Sequence, residues 1–484
     1  MRILFLLFFS ISSLAQTSLL SIPNDLKTRS KLPSDAFAVV DETRKTFAIF
    51  LDDDKTLNGY LYSEDLKPIG KFASKGLPSI YTEIIGQTIK NGQIRLFLKN
   101  LNNRNFGSVL FDFEREATIE TEFGFKLNDE VYLQSHSYKD KFYILTVTKR
   151  SSILNIYTFD HDGKFGKKIF DFSDKNFGDR DNKPTRLDKL LTEFSRALKT
   201  ETSVVKIVET NPNSIAITSN VCKVYDRGNK FILTIDEGIL YTYLFEFTVP
   251  ELTGALKTVQ KKQLPNDGNP TMNNSYLLEG NIFQITANSN KMLFTVKNLE
   301  TEEVLKQIEL SKDGEITFKN SPIIQEGTAM GSGERRELDE TSQFLRKIST
   351  EDIGVSVIPV KEGYRITIGG NKTINVNTHG AFAGQYTIGG TVGSSGYSTT
   401  YFNPAFTAFN SYQYNKSTRI ECLFNDDFEH IEGIIPQNAF DKIRIFTLRN
   451  PNGVAENVFK MNEYFIYGRY NSKEDDYQLF KFSD

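Results

Sequence analysis

Apolar runs alternate with short polar turns along most of this chain, in a unit that recurs about seven times at a spacing of roughly fifty residues. The clearest part of each unit is a hairpin of two apolar runs rich in Ile, Val, Phe, Tyr and Thr, residues that favour pleated strands. Examples are Thr46–Leu51 with Leu57–Tyr62, and Lys141–Val147 with Leu154–Phe159. Several runs are nearly continuous rather than alternating, which predicts strands buried on both faces.

The same hairpin recurs along the rest of the chain. Its further copies are Gln93–Leu98 with Phe106–Phe113, Lys230–Ile235 with Leu240–Phe247, Asn281–Thr286 with Lys291–Val296, Tyr364–Ile368 with Thr418–Phe424, and Glu463–Tyr467 with Tyr477–Phe482. A polar turn and a more variable fourth strand, such as Gly163–Phe170, follow most of them. We therefore expect units of four antiparallel strands.

Repeated four-stranded units of this kind resemble the β-propeller superfamily at the level of the repeat pattern. No named propeller family is indicated, because the chain has no Trp for WD or Asp-box repeats and no regular Gly-Gly pattern of kelch repeats. The resemblance implies an all-β fold, a seven-bladed β-propeller, with six or eight blades as alternatives. The interval from Gly354 to Phe424 has room to hold an eighth unit.

The last unit contains only three strands before Asp484. The segment Thr17–Ile22 is a candidate for the missing fourth strand. Such pairing would close the ring and remove an exposed sheet edge.

The N-terminus has the pattern of a signal peptide, predicted over residues 1–15. Arg2 precedes the apolar run Ile3–Phe9, and Ser13-Leu14-Ala15 is a small-x-small cleavage site. The run is shorter than the roughly 20 residues that span a membrane, and no second long apolar segment follows. We therefore expect an exported protein, periplasmic or extracellular, with no integral membrane segment after cleavage and a single propeller domain over residues 16–484.

Composition excludes some classes of partner. The 58 basic residues nearly balance the 61 acidic ones, giving a net charge of -3, so no basic field indicates nucleic acid. Cys222 and Cys422 belong to units four and six, which a ring would separate, and this favours two buried free thiols over a disulfide.

Three insertions interrupt the repeat. The first, at about 185–199, predicts a helix with apolar residues at Leu187, Leu190, Leu191, Phe194, Ala197 and Leu198 and a capping box of Thr185 with Asp188. The second, at about 334–349, predicts a charged helix with Leu338, Phe344, Leu345 and Ile348 on its apolar side. The third, at about 371–403, is rich in Gly, Thr, Ser and Asn and is a candidate binding loop.

All three insertions are expected on one face of the propeller. The two helical insertions connect units, and the Gly-rich insertion joins strands two and three of the sixth unit. In an up-and-down blade those two kinds of connection lie on the same side.

Candidate chemistry is sparse. None of His136, His161, His379 and His430 has the spacing of a zinc ligand. His161 and His430 are predicted to be solvated turn residues. No nucleophile elbow or phosphate-binding loop is present. The segment Asp174–Asp181 departs from the order of a calcium loop. We therefore predict no catalytic residues, no metal and no cofactor, and the candidate interaction residues are His379, Tyr386, Tyr397 and Tyr401, all in the Gly-rich insertion.

Three functional hypotheses follow. The first is an exported, non-catalytic binding or scaffold protein of a bacterial envelope, whose unknown protein or polymer ligand is held on the face carrying the insertions. The alternative is a hydrolase or lyase acting on polysaccharide or another envelope polymer, with carboxylates in the propeller channel. The third is a structural module that docks through an exposed apolar stripe on the Leu187–Leu198 helix.

Overall fold

The computed structural model describes residues 18–27, 32–53, 56–100, 102–124, 126–192, 204–328, 331–371, 400–401, 403–413, 417–451 and 453–484. The predicted signal peptide lies outside these residues. Within them the chain forms seven sheets of four or five strands and one two-stranded ribbon. The fold is all-β, as predicted, and the repeated antiparallel sheets are those of a propeller. The assignment of each sheet to one blade stays a prediction.

The first strand, β1 (Leu20–Pro23), belongs to the last sheet and is described with it. Three regular sheets follow. Sheet 1 contains β2 (Asp35–Asp41), β3 (Thr46–Asp52), β4 (Thr56–Ser63) and β5 (Pro68–Lys75). Sheet 2 contains β6 (Glu83–Lys90), β7 (Gln93–Lys99), β8 (Phe106–Asp112) and β9 (Ala117–Phe123). Sheet 3 contains β10 (Glu130–Tyr138), β11 (Lys141–Thr148), β12 (Ile153–Asp160) and β13 (Phe165–Asp171).

The first insertion follows sheet 3. It contains the ribbon β14 (Phe177–Gly178) and β15 (Pro184–Thr185), helix α1 (Leu187–Leu191), strand β16 (Val205–Ile207) and helix α2 (Ile215–Thr218). Sheet 4 then contains β17 (Cys222–Asp226), β18 (Lys230–Ile235), β19 (Tyr241–Thr248) and β20 (Thr253–Gln260), with β16 parallel to β17. Sheet 5 contains β21 (Met272–Leu278), β22 (Asn281–Ala287), β23 (Lys291–Asn298) and β24 (Val304–Ser311).

The last two sheets are less regular. Sheet 6 has the order β26-β25-β30-β28-β27, from β25 (Ile323–Thr328), β26 (Gly331–Leu338), β27 (Asp352–Val360), β28 (Gly363–Asn371) and β30 (Ser417–Phe424), with helix α3 (Thr341–Ile348) between β26 and β27. Strand β29 (Thr400–Tyr401) and helix α4 (Pro404–Gln413) separate β28 from β30. Helix α5 (Ala439–Arg449) precedes sheet 7, which contains β31 (Val454–Met461), β32 (Tyr464–Asn471), β33 (Asp476–Phe482) and β1.

Burial identifies the inner and outer strands of the sheets. Second strands such as β11 are buried along their length, whereas the fourth strand β13 is almost entirely exposed. First strands contact one another between sheets, as β2 does with β31, β6 with β10, and β21 with β27. The first strands therefore line the centre of the ring, and the near-continuous apolar runs reflect burial on both faces.

The predicted ring closure is confirmed. Strand β1 pairs antiparallel with β33, with Leu20 opposite Leu479 and Pro23 opposite Asp476. Ile22 is fully buried between the first and last sheets. Strand β1 is thus the fourth strand of sheet 7.

Two of the predicted helices are shorter than expected. In the first insertion only Leu187–Leu191 is helical, and residues 193–203, which include Phe194, Ala197 and Leu198, lie outside the described part. Thr185 is a strand residue, so the predicted capping box is wrong: Arg186 occupies the N-cap without a side-chain cap, and Asp188 accepts instead from the Arg150 amide at 2.7 Å.

In the second insertion, residues predicted as the start of a helix form β26, which pairs with β25. The helix itself is limited to Thr341–Ile348 and buries Phe344, Leu345 and Ile348, three of the four predicted apolar positions. Pairing with a neighbouring strand overrides the local helix preference of a Glu- and Arg-rich segment.

None of the helices in the part of the chain that the structure describes is long and apolar enough to cross a membrane.

Candidate polar pocket

The candidate site begins with the alternation of residues in two strands of sheet 6. In β28 and β30, the residues Ile366, Ile368, Ile420 and Cys422 are fully buried in the main apolar cluster, which extends into sheet 5. Successive side chains of a strand point to opposite faces. Arg365, Thr367, Arg419 and Glu421 therefore share the other face of the sheet. Sheet 6 has one apolar and one strongly polar side.

Helices α2, α4 and α5 cover the polar side. Helix α4 begins at Asn403-Pro404, where the side-chain Oδ1 of Asn403 accepts from the backbone amides of Ala405 and Phe406 and proline suits the first helical position. The Asn403 amide also donates to Asn457 on β31 at 2.8 Å, which fixes α4 to sheet 7. Helix α5 begins with a complete capping box between Asn438 and Asp441.

Under these helices lies a chain of ion pairs. Arg365 donates to Glu421 at 2.9 Å and to Asp441 of α5 at 3.0 Å. Arg419 donates to Glu326 of β25 at 2.8 Å and lies 3.4 Å from Glu421. Arg444 completes the set with a longer contact of 3.9 Å to Glu326. Three arginines thus face three carboxylates, and this arginine cluster carries no excess charge.

Tyr412, in the last turn of α4, joins this cluster. Its hydroxyl donates to Asp441 at 2.5 Å and accepts from Arg365 at 3.2 Å. Burial, together with Asp441, raises the pKa of Tyr412 well above its ordinary value although Arg365 opposes the rise. The phenol therefore stays protonated. The cluster connects sheet 6 to both helices.

Glu326 stays ionised despite its burial. Burial alone would raise the pKa of Glu326, but Arg419 and Arg444 hold it below its ordinary value. Burial would lower the pKa of Arg365, and Tyr412, Glu421 and Asp441 raise it instead. Buried charges are tolerated when they are paired and hydrogen-bonded in this way.

A small cavity opens beside the cluster. Its volume is about 20 Å³, room for roughly one water molecule. The Arg365 Nε is buried and has no hydrogen-bond partner among the described residues. The cavity is lined by Asn213, Ser214, Ile215, Ile358, Arg365, Thr367, Tyr412, Arg419, Glu421 and Arg444. Its size suits a water molecule and excludes an organic substrate.

Sequence reasoning missed this cluster and the three helices that cover it. The alternation Arg365-Ile-Thr-Ile and Arg419-Ile-Glu-Cys was a local signal of a polar sheet face. The capping pattern from Asn438 to Asp441 was a local signal of α5.

The predicted interaction residues fall mostly elsewhere. His379, Tyr386 and Tyr397 lie outside the described residues. Tyr401 is the last residue of β29, which runs parallel to β6, and its backbone lies opposite Ile84 at the inner edge of sheet 2. Of the four predicted interaction residues, the structure describes only Tyr401, and Tyr401 does not belong to the arginine cluster.

The histidines differ from expectation. His161 lies in a turn as predicted but is buried rather than solvated, because its ring meets the Thr88 hydroxyl at 3.0 Å and its carbonyl accepts from Arg95. Burial lowers its pKa. His430 is half-buried against Asn320 at 3.1 Å. His136 is buried between Gly228 and Asp226.

Other polar candidates have structural partners. Cys222 and Cys422 are buried and form no disulfide with each other, as the sequence favoured. In the segment Asp174–Asp181, the carboxylate of Asp179 accepts from the amides of Asp181 and Lys183 in a tight turn. Among the described residues, no three His, Cys, Asp or Glu side chains come together in an arrangement suited to a metal ion.

Comparisons with known proteins add little. No protein-family model and no curated protein match the chain. Among solved structures, a protein from Lactobacillus plantarum matches at 8% identity and a TM-score of 0.27, over 70% of this chain and 81% of its own. A subtype N10 neuraminidase-like protein of the isolate A/little yellow-shouldered bat/Guatemala matches at 11% identity and a TM-score of 0.28, over 73% and 94%.

A prolyl endopeptidase matches at 8% identity and a TM-score of 0.34, over 94% of this chain but only 51% of its own length. The chain thus spans about half of that protein. At these identities and TM-scores, the three likenesses carry no argument about activity or ligands. The sheet order of the chain itself establishes the propeller fold.

Proposed function

We propose that this chain is an exported, non-catalytic binding or scaffold protein of a bacterial envelope. Its ligand or partner is held on the face that carries the insertions. The proposal rests on one observation, which is that the ends of the insertions lie on the same side of the sheets.

Strand direction supports this placement. Neighbouring strands within the sheets are antiparallel, so a first strand begins where a second strand ends. The first insertion runs from the end of β13 to the start of β17, and the second from the end of β24 to the start of β27. The Gly-rich insertion leaves the end of β28 at Asn371 and returns to the start of β30 at Ser417, which pair with each other. We name this side the insertion face.

The arginine cluster supports the proposal as an anchor. It holds Tyr412 of α4, the helix that returns from the Gly-rich insertion, against sheet 6 and α5. Charge-assisted hydrogen bonds fix geometry more strongly than neutral ones. A binding surface built on this return helix has a rigid base.

Two additional strands at the centre of the ring favour the binding hypothesis over the hydrolase or lyase hypothesis. Strand β29 pairs with β6 and strand β16 with β17, each in parallel. Both added strands lie on the edges that face the centre of the ring, where the alternative hydrolase or lyase requires open space for a polymer.

The docking hypothesis for α1 finds less support. Leu187, Leu190 and Leu191 are buried in the cluster shared by sheets 3 and 4. An apolar stripe already covered by the chain itself is not available to a partner.

The test combines localisation and capture. Cell fractionation of the full chain is expected to place it outside the cytoplasm, with residues 1–15 removed. Envelope extract is then passed over the mature protein and over a variant in which residues 372–399 are replaced by a short Gly-Ser linker. A specific partner is expected to be lost with the linker variant.

The matched control is placed on the opposite side of the ring. The exposed turn Glu114–Glu116 joins β8 to β9 away from the insertion face, and its replacement by Gly-Ser-Gly is expected to leave capture unchanged. Equal capture by all three proteins would exclude the insertion as the binding site. Cleavage of an envelope polymer by the mature protein would overturn the non-catalytic role.

A further inference from the structure

A second buried polar cluster lies where sheets 4 and 5 meet. Lys223 is on β17, Asn274 is on β21, and Asp236 directly follows β18. Their exposed fractions are 0%, 1% and 1%. β17 and β21 are the first strands of neighbouring sheets, so this cluster lies inside the ring and out of contact with solvent.

The amine of Lys223 faces both an amide and a carboxylate. Its Nζ lies 2.6 Å from Oδ1 of Asn274 and 3.1 Å from Oδ2 of Asp236. The Nδ2 of Asn274 donates to the carbonyls of Ser219 at 2.7 Å and Ile353 at 2.8 Å. These two bonds hold the amide so that its oxygen is turned toward the lysine.

The charges in this cluster do not balance. Lys261 is also buried, and its Nζ lies 3.3 Å from Oδ1 of Asp236. Two lysines therefore share one fully buried carboxylate, that of Asp236, and the half-buried Glu237 adds a weaker attraction to Lys261. Burial lowers the pKa of Lys223, although Asp236 opposes it. An uncompensated buried cation is costly, and a lysine relieves that cost by losing its proton.

We propose that Lys223 and Asn274 form an intramolecular isopeptide bond. The neutral Nζ of Lys223 attacks Cγ of Asn274, and a new C–N bond forms. The bond from Cγ to Nδ2 then breaks, and Nδ2 leaves as ammonia. Asp236 accepts the proton from Nζ and passes it to the departing nitrogen. No oxidant, reductant or other reactant is needed.

The surroundings suit each stage of this reaction. The Ser275 amide donates to Oδ1 of Asn274 at 2.7 Å, where negative charge develops in the tetrahedral intermediate. Asp236 is held in place by the hydroxyls of Thr242 at 2.8 Å and Ser275 at 2.7 Å. Fixed contact between amine and amide replaces a bimolecular encounter.

The product resolves the charge imbalance. Conversion of Lys223 to an amide leaves Lys261 and Asp236 as a matched pair. The new bond also ties sheet 4 to sheet 5 covalently. Because it closes a long loop between residues 223 and 274, it restricts the unfolded chain as a disulfide does.

Mass spectrometry of the folded, purified protein tests the proposal. The expected result is a proteolytic peptide pair joined through Lys223 and Asn274, with the joined mass lower by one ammonia molecule than the sum. The intact mass alone is insufficient, since Gln16 at the predicted mature N-terminus loses ammonia when it cyclises. The joined pair is expected to be absent from Asn274→Ala.

Asn273→Ala is the matched control, because Asn273 accepts from Lys261 and is the competing amide. It is expected to retain the joined peptides. Folded wild-type protein that yields only separate, unmodified peptides containing Lys223 and Asn274 after prolonged incubation would overturn the proposal, whether or not the variants fold. A cross-link between Lys261 and Asn273 would overturn the assignment of the residues.

Discussion

Two buried charge clusters of this propeller differ in how their charges are balanced. The arginine cluster of sheet 6 sets three guanidinium groups against three carboxylates. The cluster between sheets 4 and 5, here the lysine cluster, sets two amines against one carboxylate. Arginine cannot give up its charge inside a protein, whereas a buried lysine can. The arginine cluster therefore needs a carboxylate for each guanidinium group, whereas the lysine cluster can lower its positive charge by losing a proton.

The largest expected effect comes from unbalancing the arginine cluster. Arg365→Met removes the buried partner shared by the half-buried carboxylates of Glu421 and Asp441, and we expect a loss of about 3–5 kcal/mol in the free energy of unfolding. Urea denaturation provides the measurement. Arg335→Met is the control, because the side chain of Arg335 is 54% exposed in its pair with Glu337, and its loss is expected below about 1 kcal/mol. Equal losses in both variants would contradict the comparison.

The second prediction concerns alkaline pH, at which the lysine cluster can lose a proton and the arginines of the other cluster cannot. Burial, opposed by Asp236, lowers the pKa of Lys261 from its ordinary value of 10.5 to about 8. Between these two values the unfolded chain binds a proton that the folded chain has lost. The contribution of Lys261 to the free energy of unfolding therefore rises with pH across this window.

The measurement is the difference in free energy of unfolding between wild type and Lys261→Met, from pH 8 to pH 10. Burial raises the pKa of the Cys422 thiol, so the contribution of Cys422 to stability falls as pH rises. Because Cys422 is present in both proteins, its contribution cancels in the difference. The wild type is expected to gain relative to the variant as pH rises. A difference that is flat, or that shrinks with pH, would show that Lys261 keeps its charge.

The smallest effects are expected from removing one hydroxyl in each cluster. Tyr412→Phe deletes a donor to Asp441, and Thr242→Val deletes a donor to Asp236. We expect each to cost about 1.5–3 kcal/mol, since both bonds end on carboxylates, of which that of Asp236 is buried and that of Asp441 is half-buried. Thermal or urea unfolding measures them against Thr253→Val, an exposed change expected within about 0.5 kcal/mol. A neutral Tyr412→Phe would remove α4 from the network.

Local pattern predicted the regular part of this fold well. The hairpins of sheets 1 to 5 follow from apolar runs and polar turns, and the closing strand follows from counting strands in the last unit. The hairpins depend on residues that are close in sequence, and the closing strand was predicted from the one strand missing from the last unit.

Sheet 6 was less predictable because its partners are distant in sequence. Its outer strand β25 precedes its inner strand β27, and pairs with β30 through Ile324 opposite Arg419. The arginine cluster likewise draws Glu326 and Asp441 from segments far from Arg365. The strand alternation indicated a polar face, but no local signal indicated which helices would cover it.

The pairing of β1 with β33 also constrains the order in which the chain can fold during synthesis. Ribosomes make Leu20 before the partner Leu479 exists, so the first strand must wait, unpaired, until almost the whole polypeptide has emerged. A chain cut short anywhere before sheet 7 leaves β1 unpaired and uncovers the apolar face of sheet 1 that packs on sheet 7, and both favour aggregation and degradation. The pairing of β1 with β33 therefore acts as a check on synthesis, because only a product that contains both strands covers these surfaces.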